Sequence, residues 1–233
     1  MPCTLPASLA DAAVCRGSFH AVLGGEAGEA VFADFSAALQ KAQAEGQILT
    51  ASLFRYENHL FFYAEGLNRP FTPQGLCPAL DAALLPWPPA LGEAAPRPWA
   101  AMQPYFYHDV PTTAADWQQG RCPQRRRGRI ALLPPDSWCS YMEHHLRIVT
   151  EGLVEGDRWH LICVQEGVLF SYLEEPRTNV NIKHRPGAHS PELDAWIAAD
   201  PESHFARFTP EQKAHPDSGH NFVFLPRIAG TED

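Results

Sequence analysis

One order of strand, helix and hairpin occurs twice in this chain of 233 residues, and a duplicated unit constrains the fold more than any single segment can. In the first copy, Ser18–Leu23 reads as a strand. Val31, Phe32, Phe35, Leu39 and Ala42 follow at helical spacing within Ala27–Ala44. Gly46 ends that helix, and Ile48–Tyr56 and His59–Glu65 read as a hairpin turning at Glu57-Asn58. The second copy begins about 110 residues later, with Arg129–Leu133 as the strand and Ser137–Gly152 as the helix. Arg158–Val164 and Val168–Glu174 form its hairpin, turning at Gln165-Glu166-Gly167, and Gly156 answers Gly46. Aligning His59–Glu65 with Val168–Glu174 leaves five of seven pairs identical or both apolar.

Each copy continues into helical material: Gln74–Leu85 with Pro98–Met102 in the first, Pro191–Ala199 with Glu202–Phe208 in the second. Each then ends in a short apolar run, Tyr105–Tyr107 and Asn221–Leu225. The order β-α-β-β-α-β is the ferredoxin-like unit, so the expected class is α+β, with domains at 1–117 and 118–233. Such a unit covers one sheet face with helices. The strands here are apolar at nearly every position, as in Leu161-Ile-Cys-Val164, so the other face also needs cover. A second sheet in the same chain could supply it, which predicts two halves packed sheet to sheet as a pseudo-symmetric pair, monomeric as a chain. Asp109–Gly128, with Arg121, Arg125, Arg126 and Arg127, reads as a solvated interdomain strap, an anion or RNA contact being the alternative. The proline-dense stretch from Pro86 to Pro111 reads as irregular.

The net charge of −9 argues against nucleic acid or an anionic membrane as the partner of the whole molecule. No run of about 20 apolar residues could span a bilayer, and Arg16 falls after the weakly apolar start, so neither signal peptide nor anchor is expected. Cysteines 3, 15, 77, 122, 139 and 163 form no C-x-x-C pair. They read as reduced thiols of a cytoplasmic protein.

Two polar residues interrupt the apolar stripe of the second helix, which runs Trp138, Tyr141, Met142, His145, Val149, Leu153. Tyr141 and His145 are four residues apart and share the face turned toward the sheet. The first copy has Val31 and Phe35 there. A satisfied core histidine and tyrosine would explain the pair as well as a site would.

From Arg129 onward the sequence resembles the L-rhamnose mutarotase family of the dimeric α+β barrel superfamily. The resemblance rests on Tyr141 followed by His145, the strand Trp159-His-Leu-Ile162, the run Leu169-Phe-Ser-Tyr-Leu-Glu174, and Trp196-Ile-Ala-Ala-Asp-Pro201. It breaks at His204-Phe205, where that family carries paired tryptophans; Trp99-Ala-Ala-Met102 keeps a trace of the pair in the first copy. The stretch 176–190 has no counterpart. The family pairs as homodimers, so this chain would be a fused tandem with a degenerate first copy.

The resemblance implies an isomerase that interconverts the α and β anomers of an aldose. His145 would be the acid/base, because an imidazole can both give and take a proton near neutrality. Tyr141 would be its partner, and Trp159, Tyr172, His204 and Phe205 would form the wall on which a sugar's C–H face stacks. Neither cofactor nor metal is expected. His144, His145, Glu143, His160, His184, His189 and His204 show no ligand spacing, and adjacent His144 and His145 point about 100° apart on a helix. Two other readings share the fold: a monooxygenase or haem-handling protein with a histidine in its cavity, and a noncatalytic binding or regulatory module.

Overall fold

A computed structural model describes residues 6–179, 182–213 and 218–231. Cys3 and the first residues of the chain lie outside these, as do Val180 and Asn181 of the 176–190 stretch. In chain order the elements are β1 (Val14–Val22), α1 (Glu29–Ala44), β2 (Ile48–Tyr56), β3 (His59–Leu67), α2 (Pro78–Ala83), β4 (Ala100–Ala101), β5 (Gln103–Phe106) and α3 (Ala114–Gln118). There follow β6 (Arg125–Leu132), α4 (Pro135–Glu151), β7 (Val154–Glu155), β8 (Leu161–Gln165), β9 (Val168–Glu175), β10 (Lys183–His184), α5 (Pro191–Ala198), β11 (Val223–Leu225) and β12 (Arg227–Gly230).

The chain divides into two compact units, each mixed α+β with an antiparallel sheet. The first comprises Met1–Met102, Pro111–Pro123 and Pro226–Asp233; the second comprises Gln103–Val110 and Gln124–Leu225. The first sheet has the order β12-β2-β3-β1-β4 and the second β11-β6-β9-β8-β5. Four strands of each stand in the ferredoxin-like order expected from the repeat: fourth, first, third, second. The fifth strand of each is an addition on the free edge of the second strand. Tyr105–Tyr107, expected to close the first half, instead contributes to β5, which pairs with β8 of the second unit, and the corresponding role in the first unit falls to β4. After β11 the chain likewise runs on into β12, which pairs with β2 of the first unit. An unpaired strand edge exposes a row of hydrogen-bonding groups, and both added strands cap such an edge.

Helix α1 buries Phe32, Phe35, Leu39 and Ala42 on its sheet-facing stripe, and Gly46 leaves it at φ 70°. Helix α4 starts with Pro135 in its first turn, a position where the missing N–H costs nothing. It ends on Gly152 in the left-handed conformation at φ 68°. Its buried face is Tyr141, His145 and Ile148. Trp138 and Leu153, expected inside, are 38% and 37% exposed, because they lie at or past the ends of the stripe that touches the sheet.

Four further expectations are corrected. Pro98–Met102 is not helical: Ala100 and Ala101 pair with His20 and Phe19 as a strand, while the Trp99 indole N–H donates to Asp81 Oδ1 at 2.9 Å. Glu202–Phe208 holds only one 3-10 turn, Pro201–His204, and β8 starts at Leu161 because His160 N–H turns back to the Asp157 carbonyl. The arginine-rich strap is largely internal structure. Arg125, Arg126 and Arg127 lie on β6, and Arg125 and Arg126 stand opposite Glu175 and Glu174 of β9. Cross-strand pairs of opposite charge stabilise that register.

Arg121 packs inside the first unit, its side chain 2% exposed against a fully buried Glu65. The guanidinium donates two bonds to the carboxylate, at 2.7 and 2.9 Å, and the Tyr63 hydroxyl donates a third at 2.7 Å. Burial pushes the Glu65 carboxyl up, but Arg121, with help from Arg16 and Tyr63, outweighs it and holds the group below its ordinary range. Removing one partner of such a pair strands a buried charge at a cost of about 3–5 kcal/mol. Arg121→Met should therefore destabilise the protein by roughly that amount in urea unfolding, and adding Glu65→Gln should recover part of the loss. Equal stability of Arg121→Met and wild type would show that the pair contributes nothing.

Candidate functional site

The two units use one frame differently. In β1 and β3 of the first unit, Phe19 stands opposite Phe62. In β6 and β9 of the second, the corresponding opposed pair is Arg129 and Ser171. On the covering helix, Val31 and Phe35 of α1 occupy the places that Tyr141 and His145 take on α4. In the first unit Phe19, Phe62, Phe35 and Trp99 close on one another, with Phe35 meeting Phe62 edge-on at 5.7 Å. Polar and smaller groups at these positions leave the second unit hollow.

The resulting cavity, of about 350 Å³, is lined by the sheet and by α4 and α5 of the second unit. Phe106, Tyr141, His145, Trp196, Phe205 and Phe222 supply aromatic wall; Arg129, Ser171, Asp157, Arg177 and Glu202 supply polar wall. Aromatic lining with a few placed polar groups is the usual composition of a small-molecule site. His108 also lines it, with its ring laid on Gly156, where a Cβ would overlap the imidazole. Gly156 is thus a residue of close approach, and Gly152 is the helix stop of this copy.

His145 is set by its surroundings. Phe106 and Trp196 meet its ring edge-on at 4.7 and 4.6 Å, and Tyr141 lies at 4.2 Å. Its Nδ1 lies 2.9 Å from the Tyr141 carbonyl, which can only accept, so Nδ1 carries the proton and Nε2 keeps its lone pair. Burial lowers its pKa to about 4 against the help of the Tyr141 carbonyl, with smaller repulsion from His144, His204 and His108. The imidazole is neutral throughout the physiological range. Burial also pushes the Tyr141 hydroxyl up to about 12 against the pull of Tyr105 and Arg129, so it stays a donor.

Arg129 is the residue that reading the sequence passed over. Burial, then repulsion from Arg177, lowers its pKa to about 10, which leaves it cationic. Its guanidinium carbon lies 4.4 Å from the centre of the Phe222 ring. The signal was present in the repeat: Ser171 against Phe62 is a mismatch inside the aligned hairpins, and Arg129 against Phe19 is the same exchange one strand away.

Of the residues expected to form the site, His145, Tyr141 and Phe205 line this cavity together. His204 stands behind the wall, its ring 5.9 Å from Tyr141 and 5.4 Å from Trp196. Trp159 and Tyr172 do not line it. Tyr172 follows Ser171 on β9 and so faces the opposite side of the sheet, where its hydroxyl donates to Glu174 at 2.6 Å. Trp159 sits in the turn ahead of β8. Among the described residues, no cluster of three or more histidine, cysteine, aspartate or glutamate side chains is arranged to hold a metal ion. No helix of the described residues is long and apolar enough to cross a membrane.

No family model matches the chain, and no curated protein does. Solved structures do. One is a proposed monooxygenase from Lactobacillus acidophilus NCFM, at 7% identity and TM-score 0.38, covering 94% of this chain and 96% of that one. Another is a proposed monooxygenase from Fusobacterium nucleatum, at 10% identity and TM-score 0.41, covering 94% of each. A third is an anthrone oxidase-like protein, at 7% identity and TM-score 0.38, covering 94% and 92%. The expectation of an aldose mutarotase is corrected on these findings. The similar structures carry monooxygenase and oxidase descriptions, and none is described as a mutarotase.

The state of His145 links stability to pH. Its pKa is about 4 when folded against an ordinary 6.5, so between those values the unfolded chain binds a proton that the folded chain refuses. Stability is then complete above pH ~6.5 and falls as the pH drops toward 4, by roughly 3 kcal/mol from this group. Urea midpoints measured from pH 4 to 7 should fall less steeply with acidification in His145→Gln than in wild type. Parallel curves would show that the imidazole is already charged in the folded protein.

Proposed function

We propose that the cavity of the second unit binds an electron-rich aromatic carbon acid and takes a proton from it at His145 Nε2, the opening step of a monooxygenation that needs no cofactor. The observation that supports this is a buried, neutral imidazole, tied at Nδ1 to the Tyr141 carbonyl, on a residue that lines an aromatic-walled cavity. Of the readings open at the level of sequence, this is the monooxygenase type.

A ring methylene conjugated with an aryl ketone, as in anthrone or the keto tautomer of a hydroxynaphthalene, loses its proton to Nε2, and the negative charge moves through the conjugated ring onto the ketone oxygen. His145 keeps its orientation through Nδ1, and the imidazolium pairs with the anion it has made, which offsets the burial that disfavours its charge. Tyr141, held protonated, is a donor for that oxygen. The carbanion carbon bonds to dioxygen, giving a hydroperoxide once the distal oxygen is protonated. Loss of the second C–H proton as the O–O bond breaks leaves a new carbonyl and water. One methylene and one molecule of dioxygen thus give one ketone carbonyl and one molecule of water, the carbon being oxidised and the oxygen reduced. The aromatic walls keep bulk water from reprotonating the carbanion.

Oxygen-electrode measurements with anthrone and with hydroxynaphthalenes test this. Uptake of one dioxygen per substrate is expected, with kcat/KM reduced at least about 100-fold in His145→Gln. The acidic limb of kcat/KM should fall near pH 4, where the free imidazole titrates, and not near 6.5. No uptake above the spontaneous rate with any of these compounds, or uptake indifferent to His145→Gln, would overturn the reading.

A further inference from the structure

We infer that the molecule this cavity takes is an aromatic anion, with a carboxylate held by Arg129. The inference rests on the reading above only in taking this cavity as the binding site; it does not depend on turnover.

The argument starts from what Arg129 lacks. A guanidinium carries five donors and a permanent charge, and an uncompensated buried charge is among the costliest features a fold can keep. Arg129 Nε is sealed from solvent and meets no acceptor. Among the described residues Arg129 makes no ion pair. The two carboxylates of the same wall are engaged elsewhere. Asp157 accepts from Arg177 Nε at 3.0 Å and from the Thr178 hydroxyl at 2.8 Å. Glu202 accepts from the Asn221 side-chain amide, and although its charge attracts Arg129 it forms no contact pair with it. What holds the guanidinium is the Phe222 face, which leaves the in-plane donors unspent.

The other copy shows that the frame does not require a cation there. Phe19 and Phe62 occupy the same opposed positions and fill the space with rings. Replacing that pair with Arg129 and Ser171 removes packing and adds a charge, both of which lower stability unless a ligand restores them. A planar carboxylate matches the guanidinium fork in two parallel bonds. Ser171, opposite Arg129 on β9 and also on the cavity wall, offers a hydroxyl beside it. The aromatic body of the ligand would then lie against Trp196, Phe205 and Phe106.

Isothermal titration of the full-length protein with 2-naphthoate and with the neutral isostere 2-naphthamide tests this without any reaction. Wild type should bind the acid at least tenfold more tightly than the amide. Arg129→Met should erase or reverse that preference, and Arg129→Lys should keep part of it; unchanged thermal unfolding of the lysine variant guards against a trivial loss of structure. Equal affinity for acid and amide in wild type, a preference that survives Arg129→Met, or no binding of either probe at millimolar concentration would each overturn the inference. The outcomes separate from those of oxygen uptake. Charge-selective binding without uptake rejects the oxygenase reading alone, and uptake with neutral substrates but no charge selectivity rejects this inference alone.

Discussion

The register of the central antiparallel pair in each sheet is the constraint from which the rest follows. Side chains alternate between faces with a period of two, so fixing one opposed pair fixes the face of every residue on both strands. In β6 and β9, setting Arg129 opposite Ser171 sends Ala131 and Leu169 toward the helices and Arg126, Tyr172 and Glu174 away from them. In β1 and β3, setting Phe19 opposite Phe62 does the same for Ala21 and Leu60 on one side and Tyr63 and Glu65 on the other. Each sheet therefore has a helix-covered face and a face with a buried tyrosine-glutamate-arginine set: Tyr63, Glu65 and Arg121 in the first unit, Tyr172, Glu174 and Arg126 in the second. A slip of one residue would bring each carboxylate onto the helix-covered face without its arginine. The ionic sets thus specify register more than they add stability.

With register fixed, the two copies divide the work on their helix-covered faces. The first closes on Phe19, Phe35, Phe62 and Trp99, whose rings pack on one another between α1 and the sheet. The second gives up that packing at the corresponding positions. Such departures from an available apolar solution concentrate where function requires them. The first copy acts as an internal control, because the same order of elements is seen with the space filled.

Most of the fold was legible because it is carried by local periodicity that occurs twice. Helices α1 and α4, the hairpins β2–β3 and β8–β9, and the stop at Gly152 all follow from spacing and turn residues. What escaped depends on long-range pairing. Tyr105–Tyr107 has the apolar alternation of a strand, but nothing in the run says that its partner is Ile162 rather than a neighbour in its own half. Arg121 looks like a solvated charge until the buried Glu65, far away in sequence, is placed beside it. The site was half legible for the same reason. Helical spacing puts Tyr141 and His145 on one face, whereas Tyr172, a candidate for the sugar wall through the resemblance, stands next to Ser171 and so on the other face of the sheet. Arg129 carries no motif of its own, although the repeat sets it against the apolar Phe19.

The two unusual groups of the cavity acquire a joint logic once an anion is placed between them. Alone, the cavity holds a guanidinium without a contact ion pair among the described residues, and a second cation beside it would add repulsion to the cost of burial. A neutral His145 avoids that cost. On the proposed reading an entering carboxylate cancels the charge of Arg129 without protonating anything, so the imidazole meets the substrate still in its basic form. Proton abstraction then creates an imidazolium and a carbanion together, and the net charge of the cavity does not change during the step. A histidine at its ordinary pKa would be partly protonated at neutrality and would compete with Arg129 for the carboxylate. The low pKa costs basicity in the empty cavity, and the developing substrate anion restores it at the moment of transfer, because a nearby negative charge raises the proton affinity of a buried base.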